Sequence, residues 1–130
     1  MKNKDIIIGL ILIFTFSLNV KAQDSLPSIQ DAKNQIIGEW LRKDNSSAKL
    51  IFTANMEQKY YINGTLIWTH QYDIDSVCNN NKLTIDNRFM LKTIKATGEV
   101  TSCDIIQSLN SSVLSITTEH QGKTILYKKQ

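Results

Sequence analysis

The chain has 130 residues, of which 42% are hydrophobic, and its 15 Lys or Arg against 12 Asp or Glu give a formal net charge of +3. This length suits a single globular domain. Three of the Lys and one of the Asp lie in residues 1–22, so the remaining chain has a formal charge of +1. So small a charge argues against a nucleic-acid-binding protein or a protein held to anionic membranes by basic residues, because both need a strong positive field.

Residues 1–22 have the organisation of a secretory signal peptide. Two early lysines precede an uncharged apolar run over 6–18, and Val20-Lys21-Ala22 predicts cleavage after Ala22. A retained membrane helix is the alternative, but the run is shorter than the roughly 20 residues that cross a bilayer. No cysteine follows the run to accept a lipid anchor, so we expect a secreted or periplasmic protein free of the membrane. Removal of residues 1–22 would leave 108 residues with a formal charge of +1.

A polar segment over 23–35 leads into the rest of the chain and contains the single proline, Pro27. Ser28 is of a type that caps helices, and we predict that it starts a short helical turn through Ile29 and Ala32. Such a turn could lie across the open bottom of a barrel.

Apolar and polar side chains alternate from Ile37 onward, which is typical of half-buried β-strands. Asn63-Gly64 separates two such segments and predicts a two-residue type I′ hairpin turn, since both residue types tolerate positive φ. The longest strand is predicted over 65–74. Its apolar and aromatic side chains share one face, and they are Leu66, Trp68, His70, Tyr72 and Ile74.

Further strands are predicted over 82–86 and 102–109, followed by two shorter ones towards the C-terminus. The segment 89–94 is apolar at both parities, so its register is not determined. On the strand over 102–109, the residues that share one side are Cys103, Ile105 and Leu109. The other residues predicted to face inward are Leu83, Ile85, Leu114, Ile116, Ile125 and Tyr127.

These eight or nine short strands predict an all-β protein. No long helical pattern supplies the crossovers that a parallel sheet needs. Short sequential hairpins favour a small antiparallel up-and-down β-barrel over 36–130, because closure of the sheet removes its edges. A β-sandwich is the competing architecture.

Cys78 and Cys103 are the only cysteines. In an exported protein they are expected to form a disulfide, which would close a loop of about 25 residues and stabilise the fold by roughly 3 kcal/mol. Two unpaired thiols are the alternative. The wide separation of Cys78 and Cys103 in the sequence argues against zinc binding and against redox catalysis.

Gly38-Glu39-Trp40 resembles the Gly-x-Trp motif on the first strand of lipocalins. The order of features over 36–129 is similar to that of compact lipocalin-like domains in exported bacterial proteins. These features are a Phe-Thr strand end at Phe52, a Lys-Tyr-Tyr strand, a glycine hairpin and an aromatic strand through Tyr72. The chain departs from the family in its shorter length, in lacking a C-terminal helix and in having Lys rather than Arg as its last basic residue.

The resemblance implies that Trp40 packs at the closed end of a barrel beneath a basic residue from the last strand. Lys128 or Lys129 would take that place, through a cation–π contact and hydrogen bonds to backbone carbonyls. Gly38, Trp40 and Lys128 are accordingly assigned to the structural motif, and the protein is expected to be a monomer.

An eight-stranded barrel is just wide enough to be filled by its own side chains or to hold one small ligand. The first hypothesis is an aromatic-lined pocket for a small apolar molecule. Its predicted ligand-binding residues are Phe52, Tyr60, Trp68, His70 and Tyr72. The second hypothesis is a filled barrel that acts as a protein-interaction or inhibitor module and presents loops 44–48 and 75–82 to a partner.

No catalytic or metal-binding pattern is recognisable. His70 and His120 lack cysteines or carboxylates at ligand spacing. There is no nucleophile elbow or phosphate-binding glycine loop, and Asp73, Asp86 and Asp104 are expected on the solvated outer face or in turns. We therefore predict a protein that is not an enzyme and that uses no metal or cofactor.

Overall fold

The computed structural model describes residues 27–78 and 88–130. The predicted signal peptide over 1–22 and the predicted strand over 82–86 lie outside these residues. Where the chain is described, no helix is long and apolar enough to cross a membrane. The elements are helix α1 (Ile29–Gln35) and strands β1 (Gly38–Arg42), β2 (Ala48–Phe52), β3 (Glu57–Ile62), β4 (Thr65–Asp75), β5 (Phe89–Ile94), β6 (Val100–Leu109), β7 (Val113–Thr117) and β8 (Thr124–Lys129).

The eight strands form one closed antiparallel barrel. Each strand pairs with the next along the chain, and β8 pairs with β1 to complete the circle. The prediction of a small all-β up-and-down barrel is confirmed, and the sandwich is excluded. Asn63 and Gly64 join β3 to β4 with φ of 51° and 76°, as a type I′ turn requires.

Helix α1 covers one end of the barrel, here named the closed end. Ser28 caps it, because its hydroxyl accepts a hydrogen bond from the backbone N–H of Asp31 at 3.2 Å. Ala32 and Ile36 are fully buried in the same core cluster as Trp40. A seven-residue helix is marginal in isolation, so this burial is what stabilises it.

The main core lies at the closed end and includes large side chains from several strands. Phe52 and Tyr72 pack edge to face there, with ring centroids 5.0 Å apart. Trp40 is fully buried, and its indole N–H donates a hydrogen bond to the carbonyl of Ile36 at 2.7 Å. The buried indole nitrogen therefore has its partner on the residue that caps the C-terminal end of the helix.

Lys129 lies over Trp40, with Nζ 5.2 Å from the ring centroid. Nζ also donates a hydrogen bond to the carbonyl of Gln35 at 3.0 Å. The assignment of this role to Lys128 is wrong for a simple reason. Trp40 and Lys129 are cross-strand partners and share the inner face of the sheet, whereas Lys128 alternates to the outer face and is exposed.

Three irregularities shift the strand register, and each reverses the inward and outward alternation beyond it. Each irregularity leaves one residue without a cross-strand partner at that position. These residues are Ile67 in β4 and Thr101 and Gln107 in β6. Because of the first, Leu66 pairs with Tyr61 on the outer face and is 48% exposed, contrary to its predicted inward position.

Cys78 and Cys103 form the predicted disulfide. Together with Met90 they make a second buried cluster, against which Ile105 packs. This cluster lies outside the barrel, so Cys103 and Ile105 face outward, whereas Leu109 belongs to the inner core. The irregularity at Gln107 lies between them and reverses the alternation. The bond is consistent with folding in an oxidising, exported compartment.

Candidate ligand-binding site

The end of the barrel opposite α1 opens into a cavity of about 400 Å³, here called the cup. Its apolar lining side chains belong to the main core or pack against it, so the closed-end core serves as the floor of the cup. These residues are Leu50, Leu91, Ile116 and Ile125. The barrel is therefore filled with side chains at its closed end and open at the opposite end, in the cup.

One wall of the cup is aromatic. Tyr60 and Trp68 are cross-strand partners on β3 and β4, and their rings stack with centroids 5.4 Å apart. His70 lies two residues further along β4 on the same face and stacks on Trp68 at 4.7 Å. All three line the cavity, so the structure brings together three of the five residues predicted to bind a ligand.

Phe52 and Tyr72 lie below the cup rather than in its lining. They face inward as expected, but their positions along β2 and β4 place them in the core at the closed end. The hydroxyl of Tyr72 donates to the carbonyl of Thr53 at 3.2 Å, and burial raises the pKa of this tyrosine to about 12. Period-two alternation identifies the inner face of a strand but not the depth at which each side chain lies.

The cup also contains polar side chains that were not foreseen. Gln58 is 2% exposed, and its amide nitrogen donates to the hydroxyl of Thr93 at 2.8 Å. Tyr127, which was predicted to face inward, lines the cup as well, and burial raises its pKa to about 12. The side chains of Tyr127 and Gln58 are therefore uncharged hydrogen-bonding groups at neutral pH.

Arg42 stands at the end of β1 and forms an ion pair with Asp44 in the following loop. Its Nε and Nη2 donate to the two carboxylate oxygens at 2.5 and 3.0 Å. This bidentate bond raises the pKa of Arg42 and lowers the pKa of Asp44. The positive charge of this lining residue is thus already balanced by a carboxylate of the chain.

Asp104 faces the interior of the barrel, which overturns its expected position on the outer face. It is the cross-strand partner of Leu91, a buried core residue, and it lines the cup. Burial is the main cause that raises the pKa of this carboxyl, and the nearby charge of Glu119 acts in the same direction. The backbone N–H of Glu119 and the charge of His120 oppose the shift.

The loop between β7 and β8 is attached to β6 by three hydrogen bonds near Asp104. The Glu119 N–H donates to Asp104 Oδ1 at 3.1 Å, and the Glu119 carboxylate accepts from the Cys103 N–H at 2.6 Å. His120 Nε2 lies 3.2 Å from the carbonyl of Thr101. His120 lines the cup, whereas Glu119 is not among its lining residues.

The arrangement can enclose the apolar body of a small molecule and form hydrogen bonds to its polar groups. His70 and His120 both line the cup, but the described part of the chain has no group of three or more His, Cys, Asp or Glu that could hold a metal ion.

Fold and site together define a closed eight-stranded up-and-down barrel with an open cup of mixed polarity. Comparison of the chain with protein-family models, with curated proteins and with solved structures finds no match. The similarity to lipocalins therefore stays a prediction based on the Gly-x-Trp motif and the order of strands.

Proposed function

We propose that the protein is an exported, lipocalin-like binding protein without enzymatic activity, which holds a small molecule with an apolar body in the cup. The observation that carries this proposal is the cavity itself, whose volume of about 400 Å³ falls in the range of small-molecule sites. A filled barrel would have no such space. The disulfide and the signal-like residues 1–22 support export to the periplasm or the medium.

A neutral apolar dye, N-phenyl-1-naphthylamine, tests the proposal by its increase in fluorescence on entering an apolar site. We expect saturable binding of the dye to the purified protein. Ile125→Trp should fill the cup and weaken binding at least tenfold, because Ile125 lines it. Leu126→Trp is the matched control, since the neighbouring Leu126 is 43% exposed on the outer face.

Two results would count against binding in the cup. One is a linear, non-saturable dye response from the unaltered protein. The other is equal loss of affinity in Ile125→Trp and Leu126→Trp, since a dye bound on the outer surface would not distinguish the inner substitution.

A second candidate function is a protein-interaction module. The observation that favours it is a pair of exposed apolar side chains, Leu66 and Ile67, which are 48% and 51% exposed beside the β3–β4 turn. The double variant L66S/I67S separates the two candidates. It should leave dye affinity unchanged if the cup is the binding site, whereas parallel loss of dye binding would place the apolar contact on this hairpin.

A further inference from the structure

Asp104 is an ionisable group in the cup that pairs with no lysine or arginine of the part of the chain that the structure describes. One carboxylate oxygen accepts the Glu119 N–H, and the other has no hydrogen-bond partner among residues 27–78 and 88–130. Its cross-strand neighbour Leu91 is apolar and 2% exposed. Asp104 is partly buried, so its carboxylate has lost part of its hydration, and the Glu119 N–H replaces only some of it.

The other carboxylates that form ion pairs in the described ranges lie outside the cup or at its rim. Lysines pair with them on the outer surface, and Arg42 is bound to Asp44 in the exposed loop at the rim. These pairs are Lys33–Asp73, Arg42–Asp44, Lys49–Glu39 and Lys92–Asp75. Asp104 belongs to none of these pairs, so this inward carboxylate has no Lys or Arg counter-charge within 27–78 and 88–130.

The groups that face Asp104 do not provide a permanent positive charge. Glu119 is itself acidic, and the Tyr127 hydroxyl on β8 is neutral because of its raised pKa. The basic side chain near Asp104 is that of His120, whose charge favours the ionised form of the carboxyl.

We infer that the ligand of the cup is a small organic cation, an aromatic or apolar molecule with a protonated amine that pairs with Asp104. This inference rests on the proposed function and adds the chemical class of the ligand. The apolar floor would take the body of the molecule beside Tyr60, Trp68 and His70, and the ammonium group would donate to the free carboxylate oxygen. A charge-assisted bond in a partly desolvated site is stronger than one in open water.

A series of matched naphthalene probes tests the inference by isothermal titration calorimetry at pH 7. The probes are 1-naphthylmethylamine as the cation, 1-naphthalenemethanol as the neutral analogue and 1-naphthylacetate as the anion. We expect the cation to bind about tenfold or more tightly than the alcohol, and the anion to bind most weakly.

Asp104→Asn should remove the preference for the cation and leave the affinity for the alcohol within about twofold. The amide oxygen of Asn can still accept the Glu119 N–H, so the loop should stay in place. Asp73→Asn is the control for net charge, since Asp73 pairs with Lys33 outside the barrel. This control should retain the preference.

The outcomes separate the two proposals. Binding of the alcohol with no preference for the cation, or a preference that survives Asp104→Asn, would overturn the inference and leave the cup as a binding site. If no member of the series binds and the neutral dye also fails, the proposed function itself is overturned.

Discussion

Lys129, at the end of the last strand, spans the indole of Trp40 and the carbonyl of Gln35, with Nζ 5.2 Å from the ring centroid and 3.0 Å from the oxygen. One side chain thus joins the first strand, the last strand and the end of α1. The closed end depends on this contact as well as on apolar burial.

Replacement of Lys129 by Met should lower the free energy of unfolding by about 1–2 kcal/mol, since a cation–π contact and a hydrogen bond from a charged group are lost. Lys128→Met removes the same charge from the exposed neighbour and should change stability by less than about 0.5 kcal/mol. Urea unfolding followed by tryptophan fluorescence measures both. Equal losses of unfolding free energy in the two variants would show that the contacts of Lys129 with Trp40 and Gln35 do not stabilise the barrel.

Gly38→Ala should destabilise the barrel by about 1–3 kcal/mol, because Gly38 has φ of +134°, which side chains rarely adopt. A Cβ there would also lie 2.9 Å from Lys129 Cε, whose position is held by the contacts with Trp40 and Gln35. Gly98→Ala is the control, since Gly98 also has positive φ but open space around it.

The two substitutions at this junction should not be additive. In a Lys129→Met background, Gly38→Ala should cost less than in the unaltered chain, because the side chain at 129 is no longer held by the contacts of Nζ and can move away from the new Cβ. A double-mutant cycle in urea measures this coupling, and strictly additive costs would contradict the proposed close approach.

Removal of the disulfide by the double substitution C78S/C103S should cost about 3 kcal/mol, as expected for a loop with a sequence separation of 25 residues. Thermal unfolding with and without a reductant measures the loss in the unaltered protein. The double variant should be insensitive to the reductant. A reductant effect that persists in the variant would mean that the loss does not come from this bond.

Asp104 should destabilise the ligand-free protein at neutral pH. Its pKa in the folded state is raised above the ordinary value of 3.8, so its favourable contribution is complete below that value and is lost as pH rises through the folded pKa. Asp104→Asn should therefore be more stable than the unaltered chain at pH 7 and should lose this advantage near pH 3. Urea unfolding between pH 3 and 8 measures the difference.

Asp44→Asn provides a control of opposite sign. Arg42 lowers the pKa of Asp44, so this carboxylate contributes stability above its ordinary pKa and loses it as pH falls. Asp44→Asn should be the less stable variant at pH 7. Because Glu119, His120 and Tyr127 also face Asp104, the comparison with its Asn variant, rather than the pH profile of one protein, identifies the group responsible.

The fold was predictable from the sequence because its signals are local. Alternation predicts strands, Asn63-Gly64 predicts a hairpin and short connections favour sequential pairing. The disulfide was predictable because the chain has two cysteines and features of an exported protein. Closure between β1 and β8 was expected because it removes the unpaired edges of a sequential sheet.

The site was predictable only in part, because strand irregularities leave no clear mark in the sequence. Ile67, Thr101 and Gln107 are ordinary strand residues, yet each reverses the alternation beyond it. Two of these positions flank Asp104, and an aspartate is expected to face solvent when composition alone is considered. Its inward position could be found only from the register with Leu91.

Pairing of the first strand with the last has a consequence for the order of assembly. Strand Gly38–Arg42 pairs on one side with Ala48–Phe52, which is close in sequence. On its other side it pairs with Thr124–Lys129, which is distant in sequence. During synthesis from the N-terminus, one edge of the first strand therefore stays unpaired until Thr124–Lys129 has been made. Long-range pairing of this kind slows folding, so closure of the barrel is expected to be a late step.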